Sequence, residues 1–224
     1  MFENRRDAGL KLANVLRSYR GQNCVVLALP RGGVPVAAEV ARALEVPLDL
    51  LLVRKIGAPG EPELAIGSVI DGGEPIVIRD GKMIQLTHTS ETEFDRICAS
   101  ELEEIERRRK LYLGGRRPET LAGKIVIVVD DGLATGNTMR AGLEAVRQRN
   151  PKYVVMAVPV APAEALELFR DLVDEIVCLE TPKWFGAVGY YYNDFRQIED
   201  EEVIRYLREC SSTRQTMARR DSVP

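Results

Sequence analysis

Residues 128–138 read VVDDGLATGNT and set two carboxylates, Asp130 and Asp131, directly before a loop holding two glycines and two threonines. Carboxylates repel phosphate, whereas glycine amides and threonine hydroxyls attract it. A ligand that satisfies both halves carries vicinal hydroxyls at one end and a phosphate at the other. Gly132–Thr138 has the makings of an anion cradle: glycines let amides converge, hydroxyls add donors, and a following helix adds the positive end of its dipole. Asp130 and Asp131 would accept hydrogen bonds from a diol or position a hydrated Mg²⁺. The blander use of the same residues is a turn signal and a helix N-cap. The stretch lacks the lysine-then-hydroxyl ending of a Walker A loop and the GxGxxG spacing of a dinucleotide fold.

A second group of residues has the opposite sign. LPRGGVP (29–35) places Arg31, Gly32 and Gly33 before a helix start, and Arg54 and Lys55 follow the apolar run LDLLLV (48–53). Taken singly, each is an ordinary turn with solvated cations. Together they make a second anion site. A hydroxylated ring between two phosphate sites is the outline of a phosphorylated, activated ribose.

The elements that must position these loops follow from periodicity. Residues 3–20 read as an amphipathic helix with Leu12, Leu16 and Tyr19 on one face. CVVLALP (24–30), LDLLLV (48–53), KIVIVV (124–129), YVVMAVP (153–159) and EIVCLE (175–180) read as strands, the first four of them apolar on both faces. Helices are expected over 35–44, 138–149, 162–171 and 199–209, and short β segments near 65–70 and 75–78. SETEFDRICASELEEIERRRKLYL (90–113) opens with Ser90 and Glu93 in capping-box spacing and continues as a charged helix. Buried strands alternating with helices imply an α/β fold, a mostly parallel twisted sheet with helices on both faces, whose ligands bind beyond the carboxyl ends of the strands. The loops after residues 30, 53, 130 and 180 would share that edge.

A chain of 224 residues, 45% hydrophobic, can bury one substantial core over residues 1–210, with a polar tail from Ser211 expected to be disordered. The net charge of −3 predicts no general affinity for nucleic acid or membranes. Cys24, Cys98, Cys178 and Cys210 are scattered, which argues against a disulfide framework or zinc site and for reduced thiols in a cytoplasmic setting. The one histidine, His88, reads as a loop or helix-cap residue. No signal peptide or membrane-length apolar run is read.

VVDDGLATGNT resembles the 5-phosphoribosyl 1-diphosphate (PRPP) signature of type I phosphoribosyltransferases, and LPRGGVP resembles that family's pyrophosphate loop. The similarity runs from about residue 24 to about 196. It implies that Asp130 and Asp131 act at the ribose 2- and 3-hydroxyls, with Mg²⁺ met indirectly through water or those hydroxyls. Thr135, Gly136, Asn137 and Thr138, with the amides of Leu133 and Ala134, would cradle the 5-phosphate. Arg31, Gly32 and Gly33 would meet the pyrophosphate, with Arg54 and Lys55 assisting, and Pro30–Arg31 would be a cis peptide.

The resemblance further implies a flexible-loop insert at about 80–118, here rich in arginine (Arg107, Arg108, Arg109, Lys110, Arg116, Arg117), which reads equally as a solvated helix face, a lid or a dimer contact. It implies a hood at about 180–198, where Trp184 and Phe185 would stack on a base, and a homodimer. Ala134 stands where hypoxanthine–guanine enzymes place an aspartate, and Tyr191 where their hood has an acid, so a standard 6-oxopurine acceptor is not implied; Glu61, Glu63 and the glutamates of the insert loop are substitutes among which the sequence does not choose. The expected activity is Mg²⁺-dependent transfer of phosphoribosyl from PRPP to a nucleobase or similar nitrogen heterocycle. A non-catalytic sensor of PRPP or nucleotides, and a hydrolase or phosphatase of phosphoribosyl compounds, are the alternatives.

Overall fold

The computed structural model describes residues 1–72 and 74–220, with backbone alone for 212–220. The chain forms two compact units, one of Met1–Leu50 with Glu119–Pro224 and one of Leu51–Pro118. The second therefore starts well before the insert expected at about 80.

The larger unit begins with helix α1 (Arg5–Val15), capped by the Asn4 side chain and extended by a 3-10 turn, Leu16–Tyr19. Strand β1 (Cys24–Ala28), helix α2 (Gly33–Leu44) and strand β2 (Leu48–Leu50) follow. The smaller unit contains strands β3 (Val53–Ala58), β4 (Glu61–Ile70) and β5 (Ile76–Arg79), then helices α3 (Gly81–Leu86) and α4 (Glu91–Leu113). Both halves of the Ser90–Glu93 capping box form. His88 is exposed, just past the end of α3, with a φ of 51°.

The chain then returns to the larger unit as strand β6 (Ile125–Val129), helix α5 (Asn137–Arg147), strand β7 (Tyr153–Val160), helix α6 (Ala163–Glu167), strand β8 (Glu175–Glu180) and helix α7 (Asp200–Arg220). Helix α7 continues past Ser211, where the sequence suggested a disordered tail; residues 221–224 of that tail lie outside the described residues.

The larger sheet has the order β2-β1-β6-β7-β8 and every pairing in it is parallel. Strands β1 and β6 are buried at every residue, and β7 at all but its first, which is what two-sided burial demands of apolar runs. From β1 the chain moves outward to β2, then crosses back to place β6 on β1's other side. The strand order reverses between β1 and β6, so their carboxyl ends border a crevice. Ala28 pairs with Val129 at its rim.

One expected element divides in two. LDLLLV is not a single strand: β2 stops at Leu50, Leu51 and Leu52 are a buried link, and β3 starts at Val53 in a separate antiparallel sheet of order β3-β4-β5. Arg54 and Lys55 thus lie within a strand of the smaller unit, not in a loop.

Candidate functional site

The site starts where β6 runs out of apolar residues. Val129 is fully buried; Asp130 and Asp131, at the strand's carboxyl end, are half-buried. The Asp131 amide donates to Asp130 Oδ1 at 2.8 Å, which fixes the first carboxylate against its own turn. Asp131 Oδ2 accepts from Arg5 Nε at 2.7 Å, and its carbonyl accepts from the Tyr192 hydroxyl. Burial pushes both carboxyls above the usual aspartate range; the neighbouring Asp131 charge pushes Asp130 further, while Arg5 pulls back on Asp131. Asp130 Oδ2 and Asp131 Oδ1 accept no hydrogen bond from any other described residue.

The glycine loop after β1 packs directly on these acids. The Leu29 amide donates to the Val129 carbonyl at 3.0 Å, and the Gly33 amide to the Leu29 carbonyl at 3.0 Å. A Cβ on Gly32 would strike the Asp131 carboxylate, and one on Gly33 would lie 2.8 Å from the Val129 oxygen and 2.9 Å from the Asp130 Cα. The two glycines let the two loops close on each other across the crevice. The Pro30–Arg31 bond is cis. Arg31 Nη1 lies 3.6 Å from Asp200 and 3.7 Å from Glu199, both at the start of α7.

Beyond the acids, Gly132 and Leu133 are buried and the Leu133 amide donates to the Val160 carbonyl at 2.9 Å, tying the loop to β7. Ala134, Thr135, Asn137 and Thr138 are exposed. Gly136 caps α5 with a φ of 74°, and a Cβ there would lie 2.6 Å from the Phe169 ring. Among the described residues, the amides of 134–138 donate to no group of the chain. A loop with free amides leading into a helix N-terminus is suited to an anion.

The segment at about 180–198, expected to form a hood, is held against the same acids. Tyr192 is buried, with its phenol pushed up by burial and by Asp131, and a Cβ on Gly132 would strike Val188. Phe185 stacks on Tyr191 (5.6 Å between centroids, 13° between planes), and the Tyr191 hydroxyl donates to the Trp184 carbonyl at 2.8 Å. Trp184 is 91% exposed. Phe185 is therefore engaged with Tyr191, and Trp184 faces solvent.

The structure thus brings Arg31, Gly32, Gly33, Asp130, Asp131 and the 133–138 loop to one edge of the larger unit. Arg54 and Lys55 belong to the smaller unit, where Arg54 pairs with Glu101 at 2.6 Å and Lys55 with Glu63 at 3.0 Å. Sequence reasoning missed Arg5 and Tyr192. The signal for Arg5 was present: it occupies the apolar stripe Arg5, Ala8, Gly9, Leu12, Ala13, where an arginine has to meet a buried partner.

The comparisons with known proteins point in one direction. A family model described as "Phosphoribosyl transferase domain" matches residues 5–195. Two Mycobacterium tuberculosis proteins, from strains CDC 1551 / Oshkosh and H37Rv and each named "Putative phosphoribosyl transferase", are 42% identical over 207 residues, which is 92% of this chain and 46% of theirs. The chain spans about half the length of these relatives. The crystal structure of TT1426 from Thermus thermophilus superposes with a TM-score of 0.80 at 43% identity, covering 93% of this chain and 98% of that one. No described helix is long and apolar enough to cross a membrane.

Proposed function

The chain belongs to the phosphoribosyl transferase domain family, and we propose that it transfers the 5-phosphoribosyl group of PRPP to a nitrogen heterocycle such as a nucleobase, releasing pyrophosphate. One observation carries the reading. At the reversal in strand order, a paired-acid loop with free amides closes against a glycine loop bearing Arg31, so binding groups for hydroxyls, phosphate and pyrophosphate share one crevice.

Each group has a distinct task in this scheme. Asp130 Oδ2 and Asp131 Oδ1, free of other partners, accept from the ribose hydroxyls and orient the ring. The amides of residues 134–138, with the Thr135 and Thr138 hydroxyls, hold the 5-phosphate at the head of α5. Arg31 and the backbone beside Gly32 and Gly33 receive the pyrophosphate; Arg31 exchanges its long contacts with Glu199 and Asp200 for the anion. Preorganised donors at the leaving group favour departure and an oxocarbenium-like sugar. The hood, tied to Asp131 through Tyr192, would limit water at that sugar.

Mg²⁺ fits this donor set. No described group of three or more His, Cys, Asp or Glu side chains could form a protein cage, whereas the two free acid oxygens suit an ion that keeps waters and borrows ligand oxygens. When bound, it would offset charge on the departing pyrophosphate.

The test is pyrophosphate release from PRPP and Mg²⁺ with each of a panel of nucleobases and with none. Release that depends on one base establishes the transfer and names the acceptor. Release without any base identifies a hydrolase, and PRPP binding without release identifies a sensor.

A further inference from the structure

Among the described residues Arg5 is the one buried cation. The buried acids Glu39 and Asp71 pair within the scaffold, with Arg42 and with Arg109. Arg5 instead reaches the ligand edge. Its Nε bonds Asp131 Oδ2 at 2.7 Å, its Nη1 donates to the Arg196 carbonyl at 2.8 Å, and its guanidinium lies 3.8 Å from the centroid of the Phe195 ring. One side chain therefore grips an acid of the donor loop and two consecutive residues of the hood.

The segment around it reinforces the link. The Phe2 amide donates to the Tyr191 carbonyl at 2.8 Å, the Asn193 amide to the Phe2 carbonyl at 2.9 Å, and the Asp194 amide to the Glu3 carbonyl at 2.9 Å. Tyr192, between those bonds, closes the circuit by donating to the Asp131 carbonyl. Arg5 occupies Oδ2 and leaves Oδ1 open, so it can orient the carboxylate without blocking it.

We propose that Arg5 is a positioning residue that locks the Asp131 carboxylate, and through it the donor site, to the hood. This rests on the reading of the site as a PRPP pocket. Occupation of Asp131 by ribose hydroxyls then stiffens the hood, and a hood closed on an acceptor holds Asp131 in place for the ribose. The two halves of the reaction are coupled through one guanidinium.

The experiment uses the full chain with Arg5→Met, Arg5→Lys, Asp131→Asn and the Arg5→Met/Asp131→Asn double variant, each confirmed folded by circular dichroism. Calorimetric titration with PRPP and Mg²⁺, and with metal-free pyrophosphate as a probe of Arg31 and the glycine loop that does not need Asp131, gives the first readout. Arg5→Met should weaken PRPP binding by roughly 10- to 100-fold, the usual effect of removing a group that orients a ligand-binding side chain, and leave pyrophosphate binding within about twofold of wild type by the same reasoning. Arg5→Lys should recover part of the loss, and the double variant should be no weaker than Asp131→Asn alone. Equal losses for both probes, or losses that multiply in the double variant, would overturn the proposal.

Hydrogen exchange on the ligand-free proteins gives the second readout. Amides of residues 192–198 should exchange faster in Arg5→Met and in Asp131→Asn than in wild type or Arg5→Lys; unchanged protection also overturns the proposal. A wild type that ignores PRPP while showing this exchange pattern sinks the PRPP reading and keeps the lock.

Discussion

Carboxylates in the two units are held on opposite sides of their ordinary behaviour. At the end of β6, burial pushes Asp130 and Asp131 up, the Asp131 charge pushes Asp130 further, and each keeps an oxygen that accepts from no other described residue. On α4, Glu104 bonds both Arg107 and Arg108, and those two arginines hold its carboxyl down at about 2. The first pair is an expense to the fold that, on the proposed reading, the ribose hydroxyls would relieve. The second arrangement is already satisfied and asks for nothing. In the proposed reading, half-buried acids with raised carboxyls and open oxygens mark the binding site, and the neutralised run on α4 is a helix stabilising itself.

The sharpest way to break the comparison is to neutralise the acids. Asp130→Asn and Asp131→Asn should each lower PRPP affinity and turnover by roughly 100-fold, since a hydrogen bond to a charged group is worth about 1.5–3 kcal/mol and its geometry is lost as well. Their stabilities should differ. A carboxyl raised in the folded state holds its proton where the unfolded chain has released it, so stability falls as pH rises from the ordinary 3.8 through the raised folded value. Above that folded value the penalty is fully present, and Asp130→Asn removes it. Its Tm should match or exceed wild type, while Asp131→Asn, which strands Arg5, should melt lower. A donor-binding profile whose acid limb lies at the ordinary carboxylate pKa would contradict the raised pair.

Next in size is Gly32→Ala. A Cβ there strikes the Asp131 carboxylate, so the variant should lose PRPP binding about tenfold or more while the Asp131 ligand chemistry stays intact. Titration with PRPP checks it. Wild-type affinity in the variant would mean that the close approach of the two loops is not what orients the acid. Gly136→Ala should act mainly on stability, costing about 1–2 kcal/mol because a left-handed φ penalises a side chain, with Phe169 crowding it further. Its denaturant midpoint is the measurement.

The legibility of the site follows the same division. The donor loop could be read because its acids, glycines and hydroxyls are contiguous and end a strand whose two-sided burial is itself a sequence pattern. Arg5 was not read, because its partner is 126 residues away and no local rule joins them; an arginine on an apolar helix stripe was the one available sign. Arg54 and Lys55 were misplaced for another reason. A continuous apolar run records burial but not a change of sheet, so Leu51 and Leu52 hid the passage from β2 to β3. The arginines of α4 were legible as residues but not in role, since only the folded helix shows Arg107 and Arg108 on Glu104, Arg109 on Asp71 and Lys110 on Glu106.

That last group supplies the smallest expected effect and the cleanest control. Glu104 is depressed in the folded state, so its contribution is complete above its ordinary value of 4.5 and is lost as pH falls toward about 2. Glu104→Gln should therefore cost about 0.5 kcal/mol or less at neutral pH, as partly exposed helix pairs do, and the difference from wild type should vanish in acid unfolding near pH 2. Turnover and PRPP affinity should not change. If Glu104→Gln or Arg107→Ala instead altered turnover with the Tm intact, the cations of α4 would be acting on the diphosphate as a lid. The contrast between a binding acid pair and a self-satisfied helix would then fail at its second member. An effect confined to stability, present at neutral pH and lost in acid, would leave α4 as scaffold and the chemistry with the loops after β1 and β6.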